Sequence, residues 1–380
     1  MSAPLLSLSR RLRRTPFSEG VESAGVKAYT VYNHMLLPTV FRSIEEDYRH
    51  LKEAVQIWDV ACERQVELRG PDAGRLMQML TPRDLRGMTP GQCFYVPIVD
   101  ETGGMLNDPV AVKLAEDRWW ISIADSDLLY WVRATAHGWR LDVLVDEPDV
   151  SPLAVQGPRA DDLMAAVFGD TVRDIRFFRF GVFDFQGRDM VIARSGYSKQ
   201  GGFEIYVEGG DIAMPLWNAL MEAGKPFDVH AGCPNLIERI EGGLLSYGND
   251  MTDDNTPHEC GLGRFCNTHT AIGCIGRDAL LRVSKEGPVQ QIRPIAIEGD
   301  RVEFAEAIDD LAFRGTVTIT YEDFSQTLLT SFVHLTQFHG PLGSPLAVVR
   351  IPPHTSRLVR LKWIYPPDGI PPHVLTVATL

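Results

Sequence analysis

Two short runs carry side chains able to do chemistry. In the first, Gly103-Gly104 is followed by Asn107-Asp108, with Tyr95 on the opposite arm of the same predicted hairpin. In the second, the glycine-rich Ser195-Gly196-Tyr197-Ser198-Lys199-Gln200-Gly201-Gly202 runs into Phe203-Glu204-Ile205-Tyr206-Val207. A carboxylate beside a phenol can accept a proton, an N–H donor or a cation, and an ammonium such as Lys199 can hold an anion. Spacing alone leaves ordinary readings open as well. Asp108 also fits a solvated carboxylate near a turn, Glu204 and Tyr206 the wet face of an antiparallel strand, and Lys199 a loop charge.

Other chemistries are disfavoured. The ten histidines show no HExxH or comparable ligand spacing, so no metal is expected. The six cysteines form no CxxC pair and read as reduced thiols of a cytoplasmic enzyme. No phosphate-cradling GxGxxG or GxxxxGKS occurs at a strand-to-helix junction. A formal charge of −13 argues against nucleic acid and anionic membranes as partners. Arg10, Arg11, Arg13 and Arg14 form a basic arm, but the apolar core of a secretory signal does not follow it. No apolar run approaches the eighteen or so residues of a membrane span.

The elements that must position these residues alternate between helix and strand. An apolar stripe (Ile44, Tyr48, Leu51, Val55) predicts a helix over 43–58, with Ser43 and Glu46 spaced as a capping box. Gln65 to Leu68 reads as a strand, and a second helix is predicted near 72–80. Cys93 to Leu114 reads as a hairpin turning at 100–104, Trp119 to Ala124 as a strand, and Ser126 as the cap of a helix through Ala136. Leu153 to Gln156 is a predicted strand entering a helix near Pro158. Phe183 to Ala193 and Phe203 to Val207 are predicted strands, the latter with Phe203, Ile205 and Val207 on one face and Glu204 and Tyr206 on the other. Helices are predicted from Asp211 through Trp217 and over Leu236 to Leu245. Beyond about residue 298, β-branched segments at 315–320 and 346–351 and proline pairs at 352–353, 366–367 and 371–372 suggest a small β-rich unit. The expected fold class is α+β with mixed and antiparallel sheets, not a doubly wound parallel sheet.

A resemblance adds to these readings. Trp58-Asp59-Val60, Gly103-Gly104 with Asp108, Leu153 to Pro158, Ser195-Gly196-Tyr197 through Glu204, Tyr247-Gly248-Asn249-Asp250 and Thr256-Pro257 with Glu259 resemble landmarks of the folate-dependent aminomethyltransferase family. That family comprises the T-protein of the glycine cleavage system and its relatives, and the landmarks occur in its order. Tyr29 to Pro38, Trp58 to Val66, Trp119 to Asp127 and Ser198 to Gly202 are most similar to the family's dimethylsulfoniopropionate demethylases. The likeness covers roughly residues 9–298, and no functional residue is carried over from 299–380. It implies a folate-binding region over 1–285, of two interleaved subdomains around a central channel, and a divergent β-rich domain over 286–380.

The resemblance implies tetrahydrofolate as cofactor, a dimethylsulfonium carboxylate as substrate, and methyl transfer giving 5-methyltetrahydrofolate and methylmercaptopropionate. It assigns cofactor contacts to Tyr95, Ser122, Phe178, Glu204 and Tyr206, and catalytic roles to Asp108 and Tyr206. Tyr32, Phe178 and Tyr197 are candidates for the sulfonium, and Arg64 or Lys199 for its carboxylate. A cytoplasmic homodimer is expected from relatives. Competing readings are a demethylase of another sulfonium, amine or methoxy compound, a non-enzymatic folate-binding protein, and a glycine-cleavage aminomethyltransferase. Lys199-Gln200 and Asn235 depart from the last of these, and Ser195-Gly196-Tyr197 departs from the Lys-Gly-Cys-Tyr motif of the non-enzymatic proteins.

Overall fold

The computed structural model describes residues 9–288 and, beyond them, the backbone of strands at 291–292, 313–321, 327–335, 350–351 and 359–361. The proline pairs at 352–353, 366–367 and 371–372, and residues 346–349 of the predicted β segment, lie outside the described residues.

Two sheets dominate. One has six strands in the order Phe180–Phe185, Arg188–Ala193, Gly202–Glu208, Val150–Gln156, Val55–Asp59, Val229–Gly232, antiparallel except for the last pair. The other has five antiparallel strands in the order Leu144–Asp146, Gln65–Arg69, Arg118–Ser122, Val110–Ala115, Gln92–Tyr95. Phe203, Ile205 and Val207 pack beneath the helices Ala160–Phe168 and Ala213–Ala223. Leu68, Trp119 and Ile121 of the second sheet do the same against Ala73–Leu80 and Leu128–Gly138. The inner faces meet each other, Ala193 and Tyr206 against Cys93, Val112 and Trp120. Trp120 and Tyr206 lie 5.7 Å apart between ring centroids, and burying such rings contributes about 1.5–3 kcal/mol each.

This layering overturns the wet-face reading of the Glu204 strand. All its residues from Gly202 to Val207 are buried because a second sheet covers the face opposite the core. The predicted helix over 43–58 is also corrected. Ser43 caps it as expected, its hydroxyl accepting from the Glu46 N–H at 3.1 Å, but the helix is Ile44–Glu53 and Val55–Asp59 is a strand. Val55 and Ile57 are β-branched and fit an interior strand of the sheet, where a neighbour on each side outweighs the continuing 3.6 period.

Smaller differences have local causes. Phe183 to Ala193 is two strands, because Gln186 and Gly187 adopt φ of 53° and 83° and turn the chain as a tight hairpin does. The helix Leu128–Gly138 is not capped by Ser126, whose hydroxyl instead accepts from Asn107. The last predicted helix stops at Glu241, where Gly242-Gly243 ends it. Among the described residues no helix is long and apolar enough to cross a membrane.

Candidate functional site

A cavity of about 1820 Å³ opens where the two sheets, the loop after Ala193 and the segment 234–265 converge. The glycine-rich turn forms part of its wall, and the reason for its glycines is Gln156. The Gln156 amide donates to the carbonyls of Ser195 at 3.2 Å and Phe203 at 3.4 Å, and accepts from the Ser198 hydroxyl at 2.7 Å. A Cβ at Gly196 or Gly202, with φ of 148° and 151°, would overlap that amide. Gly202→Ala is therefore expected to cost ~3 kcal/mol or more through overlap and strained backbone, read as a lowered urea midpoint at unchanged slope. A midpoint equal to that of the unsubstituted protein would count against this account of the turn.

Glu204 emerges from this turn into the cavity wall. Its neighbours across the ladder are Ala154 on one side and Ala193 on the other, so two methyl groups flank the carboxylate and leave space beside it. The Ser195 hydroxyl donates to Oε2 and the Tyr206 hydroxyl lies 3.5 Å from the same oxygen, leaving Oε1 without a donor among the described residues. Burial raises the Glu204 carboxyl above its ordinary range, and the two hydroxyls oppose that rise.

Asp108 sits between the strands Met105–Asn107 and Val110–Ala115. The preceding Asn107 is locked by bonds to the Ala124 carbonyl at 3.0 Å, the Ser126 hydroxyl at 2.8 Å and the Ala124 N–H at 2.9 Å. The Tyr95 hydroxyl donates to Asp108 Oδ2 at 2.9 Å. Burial pushes the Asp108 carboxyl up to about 7, with the Tyr95 bond pulling it down and the charge of Asp250 pushing it further up. Tyr95, Ser122, Phe178, Tyr32 and Tyr197 all line the same cavity. Gln65 holds the Ser122 hydroxyl at 2.9 Å, the Tyr197 hydroxyl donates to the Leu245 carbonyl at 2.8 Å, and Phe178 is held at a φ of 57° beside Phe177. Lys199 is exposed on the cavity wall, its N–H donating to Glu238 at 2.6 Å.

Two expected site residues lie elsewhere. Arg64 is 12% exposed and paired with Glu147, away from the cavity lining, because the neighbouring carboxylate claims its charge. Tyr206 is 1% exposed, packs on Trp120 and stands behind Glu204 rather than in the wall. Conversely, sequence reading missed the buried Arg239–Asp250 pair at 2.6 Å and the cavity carboxylate of Glu63. Asp250 closes the Tyr247-Gly248-Asn249-Asp250 landmark, and Glu63 lies in the Trp58 to Val66 run, so both were within stretches that pointed to the site. The scattered histidines also hid a cluster. His50 and His230 stack at 4.0 Å beside Asp228, but His50 already engages the Asp228 carbonyl at 2.8 Å and Gln56 at 3.3 Å.

Residues 17–270 match the family model described as the GCVT N-terminal domain, and residues 287–379 match one described as a protein of unknown function, DUF3370. The chain is 65% identical over 292 residues to dimethylsulfoniopropionate demethylase DmdA of Ruegeria pomeroyi, covering 77% of this chain and 80% of that protein. It is 28% identical over 288 residues to an aminomethyltransferase of Clostridium botulinum, covering 74% and 77%. Among solved structures, aminomethyltransferase T of the glycine cleavage system from Bartonella henselae shares the fold, with a TM-score of 0.72 and 22% identity over 90% of each chain. With two thirds of its length inside the family model and a demethylase and an aminomethyltransferase among its relatives, this chain belongs to the GCVT family of folate-dependent transferases.

Proposed function

We propose that the protein is a tetrahydrofolate-dependent methyltransferase that demethylates dimethylsulfoniopropionate to methylmercaptopropionate, forming 5-methyltetrahydrofolate. The observation that carries the reading is the 65% identity to a dimethylsulfoniopropionate demethylase across most of the chain. The cavity fits the cofactor: Glu204 keeps one carboxylate oxygen without a donor between two alanines, a place for the N–H edge of an aminopyrimidinone ring. When bound, tetrahydrofolate supplies the nucleophilic nitrogen to which the methyl group passes.

The chain's own residues then have separable tasks. Glu204 accepts the ring N–H groups, with Ser195 and Tyr206 fixing its other oxygen. Tyr95, Ser122 and Phe178 line the space around it and exclude water. Asp108, held by Tyr95, takes up the proton that methylation of a secondary amine releases. Tyr32 and Tyr197 present aromatic rings to the sulfonium, and of the two expected cations Lys199, which lines the cavity, rather than Arg64, which is paired with Glu147, meets the substrate carboxylate. Alignment of donor carbon and acceptor is the main catalytic contribution, since departure of a neutral thioether already makes the methyl reactive. A cytoplasmic location, a homodimer and a domain boundary between residues 285 and 286 belong to the same proposal.

Mass spectrometry of the purified protein incubated with tetrahydrofolate and dimethylsulfoniopropionate is expected to show both products in equal amounts. Turnover of a different sulfonium, amine or methoxy donor from a panel, with none of this one, would retain the fold and replace the substrate.

A further inference from the structure

We infer that Glu63 is the residue that selects a positively charged methyl donor over a neutral one of the same shape. The inference rests on the methyl-transfer reading above and assigns a specificity residue to the same cavity.

Glu63 follows the strand Val55–Asp59 in a turn pinned on both sides. Its N–H donates to the Val60 carbonyl at 2.8 Å, and its own carbonyl accepts from the Gln65 amide at 2.8 Å. The side chain lines the cavity with Tyr32, Cys62 and Ser122. Every other cavity carboxylate has a partner. Glu204 has the Ser195 and Tyr206 hydroxyls, Asp108 has Tyr95, Asp125 has the Asn33 N–H at 2.7 Å, and Asp250 has Arg239. Among the described residues Glu63 alone of these carboxylates accepts no hydrogen bond and forms no ion pair, although the next residue is an arginine, because Arg64 is turned to Glu147.

Glu63 is half-buried, and its carboxylate becomes costly when a ligand displaces the solvent around it without bringing a partner. Burial raises the Glu63 carboxyl well above its ordinary value, and the charges of Glu204 and Asp108 raise it further. A ligand that brings a positive charge relieves both penalties. A dimethylsulfonium centre has no N–H or O–H to donate, so it is recognised by charge and by aromatic faces rather than by directed hydrogen bonds. Glu63 supplies the charge. Tyr32, whose phenol Glu63 raises more than any other charged group does, supplies an adjacent ring. A neutral isostere gains nothing from the carboxylate and leaves it unpaired.

The test compares dimethylsulfoniopropionate with 4-methylpentanoate, which replaces the sulfonium by a CH group at nearly the same volume. Calorimetric titration of the full-length protein is expected to show the sulfonium binding at least ~10-fold tighter, a difference that one close charge pair readily accounts for. In Glu63→Gln the ratio should fall at least about fivefold, to what the aromatic faces alone provide, with tetrahydrofolate affinity changed less than about threefold, because only the carboxylate charge is removed. Glu63→Asp, which keeps the charge and withdraws it, should fall between, and it serves if the glutamine variant does not fold. A ratio that stays at the value of the unsubstituted protein in either variant overturns the inference. Product formation is measured alongside: no 5-methyltetrahydrofolate from the sulfonium ends the substrate reading, whereas its formation with an unchanged ratio ends only the role of Glu63.

Discussion

Glu204→Gln is expected to weaken tetrahydrofolate binding about 100-fold, with the fold intact. Glutamine preserves the length of the side chain, and its amide oxygen can still accept from Ser195. The loss comes from the opposite edge. The carboxylate offers a free acceptor oxygen, while glutamine there presents either an uncharged oxygen or an NH₂ facing another donor. Hydrogen bonds to a charged group contribute about 1.5–3 kcal/mol, and a buried donor left unmet costs about 1–3 kcal/mol, so a loss near 3 kcal/mol is reasonable. Ala154 and Ala193 are too small to replace the lost contact. Titration calorimetry reads the change directly, and affinity within threefold of the unsubstituted protein would remove Glu204 from the cofactor site.

The sequence made Glu204 legible but gave the wrong surroundings for it. Strand alternation placed Phe203, Ile205 and Val207 on one face, where they form core. It could not reveal that the other face is covered, because the covering Trp120 comes from a strand more than eighty positions earlier in the chain. Resemblance pointed to Tyr95, Asp108, Ser122 and Glu204, all of which line the cavity and whose neighbourhoods are set by short hairpins and turns. It also pointed to Arg64 and passed over Glu63, where only the fold decides which of two adjacent residues reaches the cavity. Val55 to Asp59 shows the same limit in secondary structure. Its apolar stripe continues a helix by period, while its place between two strands makes it a sheet element.

The second large effect separates stability from function at Asp108. Asp108→Asn is expected to lower kcat by about 100-fold or more, the usual scale for removing a proton acceptor. Asparagine keeps the shape and can still accept from Tyr95, but it cannot take a proton. With its carboxyl raised to about 7, Asp108 gains its accepting form across neutral pH. The rate should therefore rise with pH through that region in the unsubstituted protein, and the rise should vanish in the variant. The same shift has a cost in the ligand-free protein. Between the ordinary aspartate value of 3.8 and about 7, the unfolded chain releases this proton while the folded protein retains it. The folded state then binds more protons, so stability falls as pH increases across that interval, by up to ~4 kcal/mol for a shift of this size. The raised carboxyls of Asp59 and Glu204 act in the same direction, so the pH slope of one protein cannot be assigned to one residue. The difference between variant and parent isolates Asp108: equal stability near pH 3.5, and a variant more stable by about 2–4 kcal/mol at pH 8. Denaturant unfolding at the two pH values measures this. If the variant gains no stability at pH 8, the Asp108 carboxyl is not raised in the folded protein, and a rise of rate with pH through 7 belongs to a different group.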